Sequence, residues 1–396
     1  MNEVIILSAC RTPIGKFQGA LSALSATDLG AIAVRAALDQ AGVAAEQVDE
    51  VILGNVLSAG VGQAPARQAA LRAGLPPSVA ALTVNKVCGS GLKAIMLAAQ
   101  AIRAGDANVI VAGGFESMSR TPYLLDRAGP VLGDRPLIDA LQHDGLTCSF
   151  SGRSMCQIAE SLAASENVSR SAQDAYAHES HRRATAAIER GDFAREIVSV
   201  KVPQRGGERI VGRDEGPRAD TTLERLAQLH SIVAEGGTVT AGNASMMSDG
   251  AAAVVVCSRS FQQTHGLTPI ARLVSYATAG TEPGDLFVAP VPAIRRALAL
   301  AALSIDDIHL FEINEAFAVQ MLACLNQLGL TGENVNVHGG AIALGHPLGA
   351  SGARVVVTLL HALQQRRVRW GVASVCLGGG NAVAALFEAL SPANGA

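Results

Sequence analysis

Two stretches of the chain, far apart in number, carry the same order of hydrophobic and polar positions. Near the start, apolar residues at helical spacing run from Leu29 to Gln40 and stop at Gly42. The strand-like Val51-Ile52-Leu53 follows, then Gly54-Asn55. Near the end, Val291 to Ala302 repeats the helix, and Ile308-His309-Leu310-Phe311 leads to Ile313-Asn314. Farther on, Cys88-Gly89-Ser90-Gly91 opens an apolar helix reaching about Arg103, and Gly349-Ala350-Ser351-Gly352 opens its counterpart through about Gln364. Each helix is followed by a continuous apolar run ending in glycine, Val109 to Gly114 and Val372 to Gly378. The three matched pairs stand roughly 260 positions apart, which predicts two α/β halves of common design.

The stretch between the halves has a different texture. Residues 120–248 are richer in charge and in Ser, Asp, Gly and His, with a long polar helix expected from Ser171 to Arg190, stopped by Gly191. Such a segment reads as an insertion lying over the paired halves, suited to covering a substrate or joining subunits. Val254-Val255-Val256 and Arg272-Leu273-Val274 predict core strands, one closing the first half and one starting the second. The expected division is therefore 1–119 with 249–270, an insertion at 120–248, and 271–396.

Composition narrows this picture. The chain has 396 residues, 49% hydrophobic and 16% charged, enough for a large core and too long for one ordinary domain. Only 3% are aromatic while 41 are glycine, so small side chains pack closely in stacked helix and sheet layers. The net charge of −3, with no basic stripe, argues against a nucleic-acid surface. Arg366-Arg367-Val368-Arg369 is expected at a helix C-terminus, where cations complement the dipole. No apolar run approaches the 18 or so residues of a membrane span. Met1 to Leu7 lacks the basic start of a signal peptide and reads as a first buried strand. The seven cysteines are scattered without metal-ligand spacing, which points to a reduced, cytoplasmic protein without a metal.

Four positions then stand out for chemistry. Cys88 sits where the strand Leu82 to Asn85 turns into a helix, and the positive end of the helix dipole favours a thiolate there. The glycines after it let a ligand or another backbone approach. The alternative is a small buried hydrophobe. His346, held between Gly345, Pro347 and Gly349, is a candidate general base in a tight pre-helical loop. The glycines around it do not form a nucleotide-binding fingerprint. Cys376 ends a buried strand before Gly378-Gly379-Gly380, whose freed N–H groups could form an oxyanion hole; otherwise it is a buried thiol beside a sharp turn. Asn314 ends another buried strand, where it could equally be a helix N-cap. By the duplication, Asn314, His346 and Cys376 fall at the carboxyl ends of strands or in the loops that follow, the side on which α/β sheets bind ligands.

Together these stretches resemble the thiolase family over nearly the whole chain. The matching residues are Val84 to Gly91, Gly113 to Ser119, Thr238 to Ser245, Asn314-Glu315-Ala316-Phe317, Gly339 to Gly352 and Cys376 to Gly380. With Asp144 to Thr147 the combination looks like the short-chain, acetoacetyl-CoA type. The resemblance implies a five-layered αβαβα fold and a homo-oligomer, dimer or tetramer. It implies that Cys88 takes an acyl group from a thioester while His346 takes its proton, and that Cys376 removes the α-proton of a second acetyl-CoA. One oxyanion site would use His346 with a water held by Asn314, the other the N–H groups of Cys88 and Gly378. CoA thioesters are then substrates and no cofactor is needed. CoA contacts carry over to Ser245, Ala241, Arg218, Leu146, Met155 and Phe317.

The sequence also departs from the family pattern. Ser154-Met155-Cys156 stands where His-Met-Gly is usual, Leu286-Phe287-Val288-Ala289 where Met-Gly-x-Gly is usual, and Met246-Met247-Ser248 where Gly-x-Asn is common. Asn381-Ala382 replaces a residue–glycine pair, and Arg225 takes the place of a serine at the nucleotide. The expectation is retained chemistry with an altered acyl preference or rate. Competing readings are a 3-ketoacyl-CoA thiolase of broader chain length, a decarboxylating ketosynthase, and a thiolase-like protein that binds acyl-CoA without turnover. Cys376 before Gly378 disfavours the ketosynthase, which has no second catalytic cysteine.

Overall fold

The computed structural model describes residues 2–129 and 132–390. Met1, positions 130–131 and positions 391–396, which belong to the expected first strand, insertion and C-terminal half, lie outside the described residues. The first half comprises β1 (Val4–Arg11), β2 (Gly15–Lys16), α1 (Ala26–Ala41), β3 (Glu50–Gly54), α2 (Pro65–Arg72), β4 (Ala80–Val84), α3 (Ser90–Ala104) and β5 (Val109–Ser117). Then come the hairpin of β6 (Tyr123–Leu124) and β7 (Ile138–Asp139), α4 (Met155–Ser165), α5 (Arg170–Arg190), the hairpin of β8 (Val200–Gln204) and β9 (Gly207–Val211), and α6 (Leu223–Ala227). β10 (Ser248–Ser258) and α7 (Arg259–Thr264) lead to the second half. This holds β11 (Ala271–Gly280), α8 (Pro290–Leu300), β12 (Leu310–Ile313), α9 (Ala318–Leu328), α10 (Ala341–Leu344), α11 (Leu348–Arg366), β13 (Trp370–Leu377) and β14 (Asn381–Ala389).

The helix ends follow local chemistry. In α1, Ser25 and Asp28 close a capping box and Gly42 ends the helix in the left-handed region, at φ 65°. In α5, Ser169 caps the start and Gly191 the end, where the sequence placed the stop.

The two halves share one topology. Strands lie in the order β4-β3-β5-β10-β1 in the first half and β12-β13-β14-β11 in the second, with the β3·β4, β3·β5 and β12·β13 pairs parallel. The second half's counterpart of β4 is reduced to one bridge, Phe311 to Val335. A three-residue antiparallel pairing of Val4–Ile6 with Ala271–Leu273 stitches the sheets together.

Alternation along the buried strands sends side chains into different layers. In β1, Val4 and Ile6 join a central core with α3 and α11, while Ile5 and Leu7 face α1 and α2. On the far side, Phe311 and Val372 pack under α8 and α9. The layers run α1/α2, sheet, α3/α11, sheet, α8/α9, the five-layered αβαβα arrangement. Buried on both faces, β1 extends past the apolar run to Arg11, where it still pairs with β10 opposite Ala252.

The two central helices cross where both carry glycine. A Cβ on Gly91 would stand 2.7 Å from the amide N of Ala353, and one on Gly352 2.4 Å from that of Leu92. The Ser-Gly pair common to both motifs, Ser90-Gly91 and Ser351-Gly352, therefore lets one backbone approach the other, and it brings the starts of α3 and α11 together.

The segment from β6 to α6 is anchored by charge. Fully buried Arg11 of β1 donates from Nε to Glu196 (2.6 Å) and from both terminal nitrogens to Asp214 (2.7 and 2.8 Å). Arg11→Ala would leave two carboxylates buried without their cation. The expected cost is about 3–5 kcal/mol, read as a lower denaturation midpoint in urea at unchanged m-value. Among the described residues, no helix is long and apolar enough to cross a membrane.

Candidate active site

A cavity of about 470 Å³ opens at the carboxyl ends of the strands, beneath the segment from β6 to α6. Cys88, His346, Cys376 and Gly378 all line it. Asn314 does not; it lies fully buried behind the histidine, its Nδ2 3.5 Å from His346 Nε2. Nor is it a helix cap, since α9 starts four residues later with Phe317 at the cap position. Its Oδ1 is buried without a partner among the described residues.

The turn into α3 is strained immediately before Cys88. Val87 has φ 46°, a left-handed conformation that β-branched residues rarely adopt and that costs about 1–3 kcal/mol. Three hydrogen bonds hold it. The Val87 N–H donates to Asn85 Oδ1 (3.0 Å), Ser90 Oγ donates to the Val87 carbonyl (2.6 Å), and the Lys86 N–H donates to Ser90 Oγ (2.8 Å). The elbow points the thiol into the cavity, where Cys88 remains partly exposed.

The structure corrects the expected thiolate. Burial pushes the Cys88 thiol up to about 12, against the opposing pull of its own N–H and that of Gly378. The helix dipole acts within the first turn, and desolvating a sulfur anion among Leu57, Met118 and Leu348 outweighs it. Burial likewise pushes Cys376 well above the ordinary thiol value, and the Cys88 sulfur adds to the shift.

His346 is held by its own backbone N–H, which donates to the Met246 carbonyl (2.9 Å) and Ser248 Oγ (3.2 Å). Its Nδ1 lies 2.6 Å from Ser351 Oγ. Burial pulls the imidazole down to about 3, with a smaller contribution from the Arg354 cation. At neutral pH the site thus holds two thiols and a neutral imidazole.

This has a measurable consequence. The unfolded chain protonates this histidine below about 6.5, while the folded chain resists until about 3, so stability is lost as pH falls through that window. His346→Asn removes the loss. Its stability relative to the parent is expected to improve by about 1.4 kcal/mol per unit between about pH 6 and 5, by urea unfolding. A difference independent of pH would mean that the folded ring is charged.

Two buried carboxylates fix the loops that carry these groups. Glu116 accepts from the N–H groups of Val56, Leu57 and Gly349 and from Asn55 Nδ2, at 2.7–3.2 Å, joining the first half to the first turn of α11. Glu315 accepts from Tyr176, Ser180, Asn336 and the Ile342 N–H, tying α5 to the loop before His346. The sequence assigned neither a role, although Glu116 lies near the end of buried β5 and Glu315 just after buried β12, each in a quoted motif. His181 was also missed, because a His on a polar helix reads as solvated. It is buried, accepts from the Arg218 N–H (3.2 Å) and lines the cavity.

All six residues expected to touch CoA (Leu146, Met155, Arg218, Ala241, Ser245 and Phe317) line the cavity. So do the departures Ser154, Cys156, Met246 and Phe287, which converge there although far apart in sequence. The Phe287 ring sits edge-on to Phe317, centroids 5.2 Å apart. Arg225 is not in the lining; it pairs with Asp220 on the surface.

Residues 4–260 match the family model of the thiolase N-terminal domain, and residues 267–389 that of the C-terminal domain. The chain is 52% identical to the acetyl-CoA acetyltransferase of Escherichia coli K12, over 99% of this chain and 100% of that one. It is 50% identical to that of Cupriavidus necator, over 98% and 100%. The crystal structure of the Bacillus anthracis acetyl-CoA acetyltransferase matches with a TM-score of 0.97 at 42% identity, covering 98% of this chain and 99% of that one. Human mitochondrial 3-ketoacyl-CoA thiolase matches at 0.95, also with 42% identity and the same coverage.

Proposed function

This chain belongs to the thiolase family, and from that premise we propose that it is an acetyl-CoA acetyltransferase, joining two acetyl-CoA to acetoacetyl-CoA and CoA, and the reverse. The observation that carries the reading is the convergence of two neutral thiols and one neutral imidazole on a single cavity.

In the condensing direction, Cys88 Sγ attacks the thioester carbonyl of the first acetyl-CoA as its proton passes to His346. The new C–S bond forms, the bond to CoA breaks, and His346 returns the proton to the departing CoA sulfur. Cys376 first gives its thiol proton to His346, and the resulting thiolate removes the α-proton of a second acetyl-CoA. The carbanion attacks acetyl-Cys88, and the Cys88 sulfur leaves as a thiolate that takes the proton back from His346. The N–H groups of Cys88 and Gly378 already act on the Cys88 sulfur, which supports their use on the tetrahedral oxyanion. The partnerless Asn314 Oδ1 beside His346 supports a water held there at the second oxyanion. Losing one such donor costs about 3 kcal/mol of transition-state stabilisation.

Residues 120–248 would receive the pantetheine and nucleotide and join subunits. Exposed Tyr123, Leu125, Leu132 and Leu137 support a homo-oligomer, and the free cysteines a cytoplasmic setting. Met246, Cys156 and Phe287, where the family has glycine, reduce the room around the acyl chain and support a preference for the short substrate.

The test is to mix the protein with acetoacetyl-CoA and CoA, quench, and map the adduct by mass. One acetyl group on Cys88 is expected, with acetyl-CoA released. No adduct from acetoacetyl-CoA, but one from a longer or branched 3-oxoacyl-CoA, would transfer the activity to that substrate. Failure of the whole panel on folded protein would leave a binding protein.

A further inference from the structure

The chemistry above needs His346 to move a proton through Nε2, and the surroundings of Nδ1 bear on whether it can. Ser351, in the first turn of α11 and 1% exposed, places Oγ 2.6 Å from His346 Nδ1 and 2.8 Å from the carbonyl of Pro347, four residues back. The second contact is the back-bond that helical serines make. A hydroxyl has one proton, and a carbonyl can only accept. With that proton given to Pro347, Ser351 offers the ring a lone pair. The ring must then donate from Nδ1, which leaves Nε2 bare. On the other side, Asn314 directs its amide Nδ2, a donor, toward Nε2, which suits the same tautomer.

We propose that Ser351 is the positioning residue that holds His346 in its working tautomer, protonated at Nδ1 and open at Nε2. The proposal rests on His346 being the group that takes the Cys88 proton. An accepting hydroxyl serves the ring in both of its states, because Nδ1–H persists when a second proton arrives at Nε2. A donating partner would serve only the neutral ring with Nε2–H, which cannot receive the Cys88 proton. Ser351 also differs in kind from the carboxylate that backs many catalytic histidines. Being uncharged, it orients the ring without raising its basicity, so the proton goes on to the leaving sulfur rather than resting on the imidazole.

The test combines ¹⁵N NMR of histidine-labelled protein with kinetics of Ser351→Ala and Ser351→Thr. The His346 signals are identified by their loss in His346→Asn. The parent without substrate is expected to show Nδ1 protonated and Nε2 bare. Ser351→Ala should shift the ring toward the other tautomer and lower kcat about 100-fold, with KM changed by less than about threefold. Ser351→Thr should restore both the tautomer and most of kcat. An Nε2–H tautomer in the parent overturns the proposal, as does a Ser351→Ala enzyme with unchanged kcat. The tautomer is read without turnover, so it decides this point even if acetoacetyl-CoA is not the substrate. Should the alanine variant not fold, the parent spectrum and the threonine variant still decide it.

Discussion

Cys88→Ser is expected to lower turnover of acetoacetyl-CoA and CoA by on the order of 10⁴-fold, about 5.5 kcal/mol of transition-state stabilisation, while the protein stays folded. The size follows from the site's electrostatics. The thiol is already hard to ionise, pushed to about 12 by burial, and its proton acceptor is an imidazole pulled down to about 3. Serine starts from a far weaker acid, and its oxygen anion is smaller and costlier to desolvate than sulfur. Neither His346 nor the N–H groups of Cys88 and Gly378 can recover that difference. The measurement is steady-state turnover together with intact mass after mixing, where no stable acetyl adduct should appear. Turnover within tenfold of the parent would remove Cys88 from the nucleophile's role and pass it to another cavity group.

The second large effect separates the half-reactions. In Cys376→Ser, acetyl-CoA should still acetylate Cys88 at a rate within about tenfold of the parent, because that step uses only Cys88, His346 and the N–H donors. Condensation should fall by on the order of 10³- to 10⁴-fold, because an alcohol is a poor acceptor for a carbon-bound proton. Quenched-flow acetylation followed by mass spectrometry reads the first step, and product formation the second. Cys376 is 3% exposed and packs with Phe287 and Phe317, so a merely structural role is the alternative. Equal loss of both steps would indicate that role; loss of condensation alone assigns the α-proton to Cys376. If serine disturbs packing, Cys376→Ala with the same split serves the purpose.

Much of this was legible in the chain. The helix boundaries at Gly42 and Gly191 are local events, set by a capping box or a left-handed glycine, and the residues on the spot decide them. The duplication was visible because each half must bury sheet faces against helices, which forces the same apolar periods twice. Cys88 was singled out at a strand-to-helix turn, and His346, Cys376 and Asn314 at the carboxyl ends of strands or in the loops that follow, where sites of this architecture gather. That end is readable wherever a buried run stops at glycine.

The rest required the assembled molecule. The ionisation of Cys88 is one such case, since a helix start predicts a thiolate and only the apolar walls of the cavity reverse it. The glycines after Cys88 are another. They could have served a ligand; instead Gly89 lies against the Leu377 and Val383 side chains and Gly91 against the backbone of α11. Glu116, Glu315 and His181 went unassigned because a polar residue's partner lies anywhere from two dozen to well over two hundred positions away. The sequence by itself determined the two α/β halves and helix ends such as Gly42 and Gly191, and it singled out the side chains proposed to react, because these depend on periodicity and on neighbours a few residues away. Only the tertiary structure decided the protonation of those side chains, the convergence of Ser154, Met246 and Phe287 on one cavity, and the buried carboxylates that hold its loops. Desolvation and hydrogen-bond partnership are set by what surrounds a group in space, and distant segments supply those surroundings.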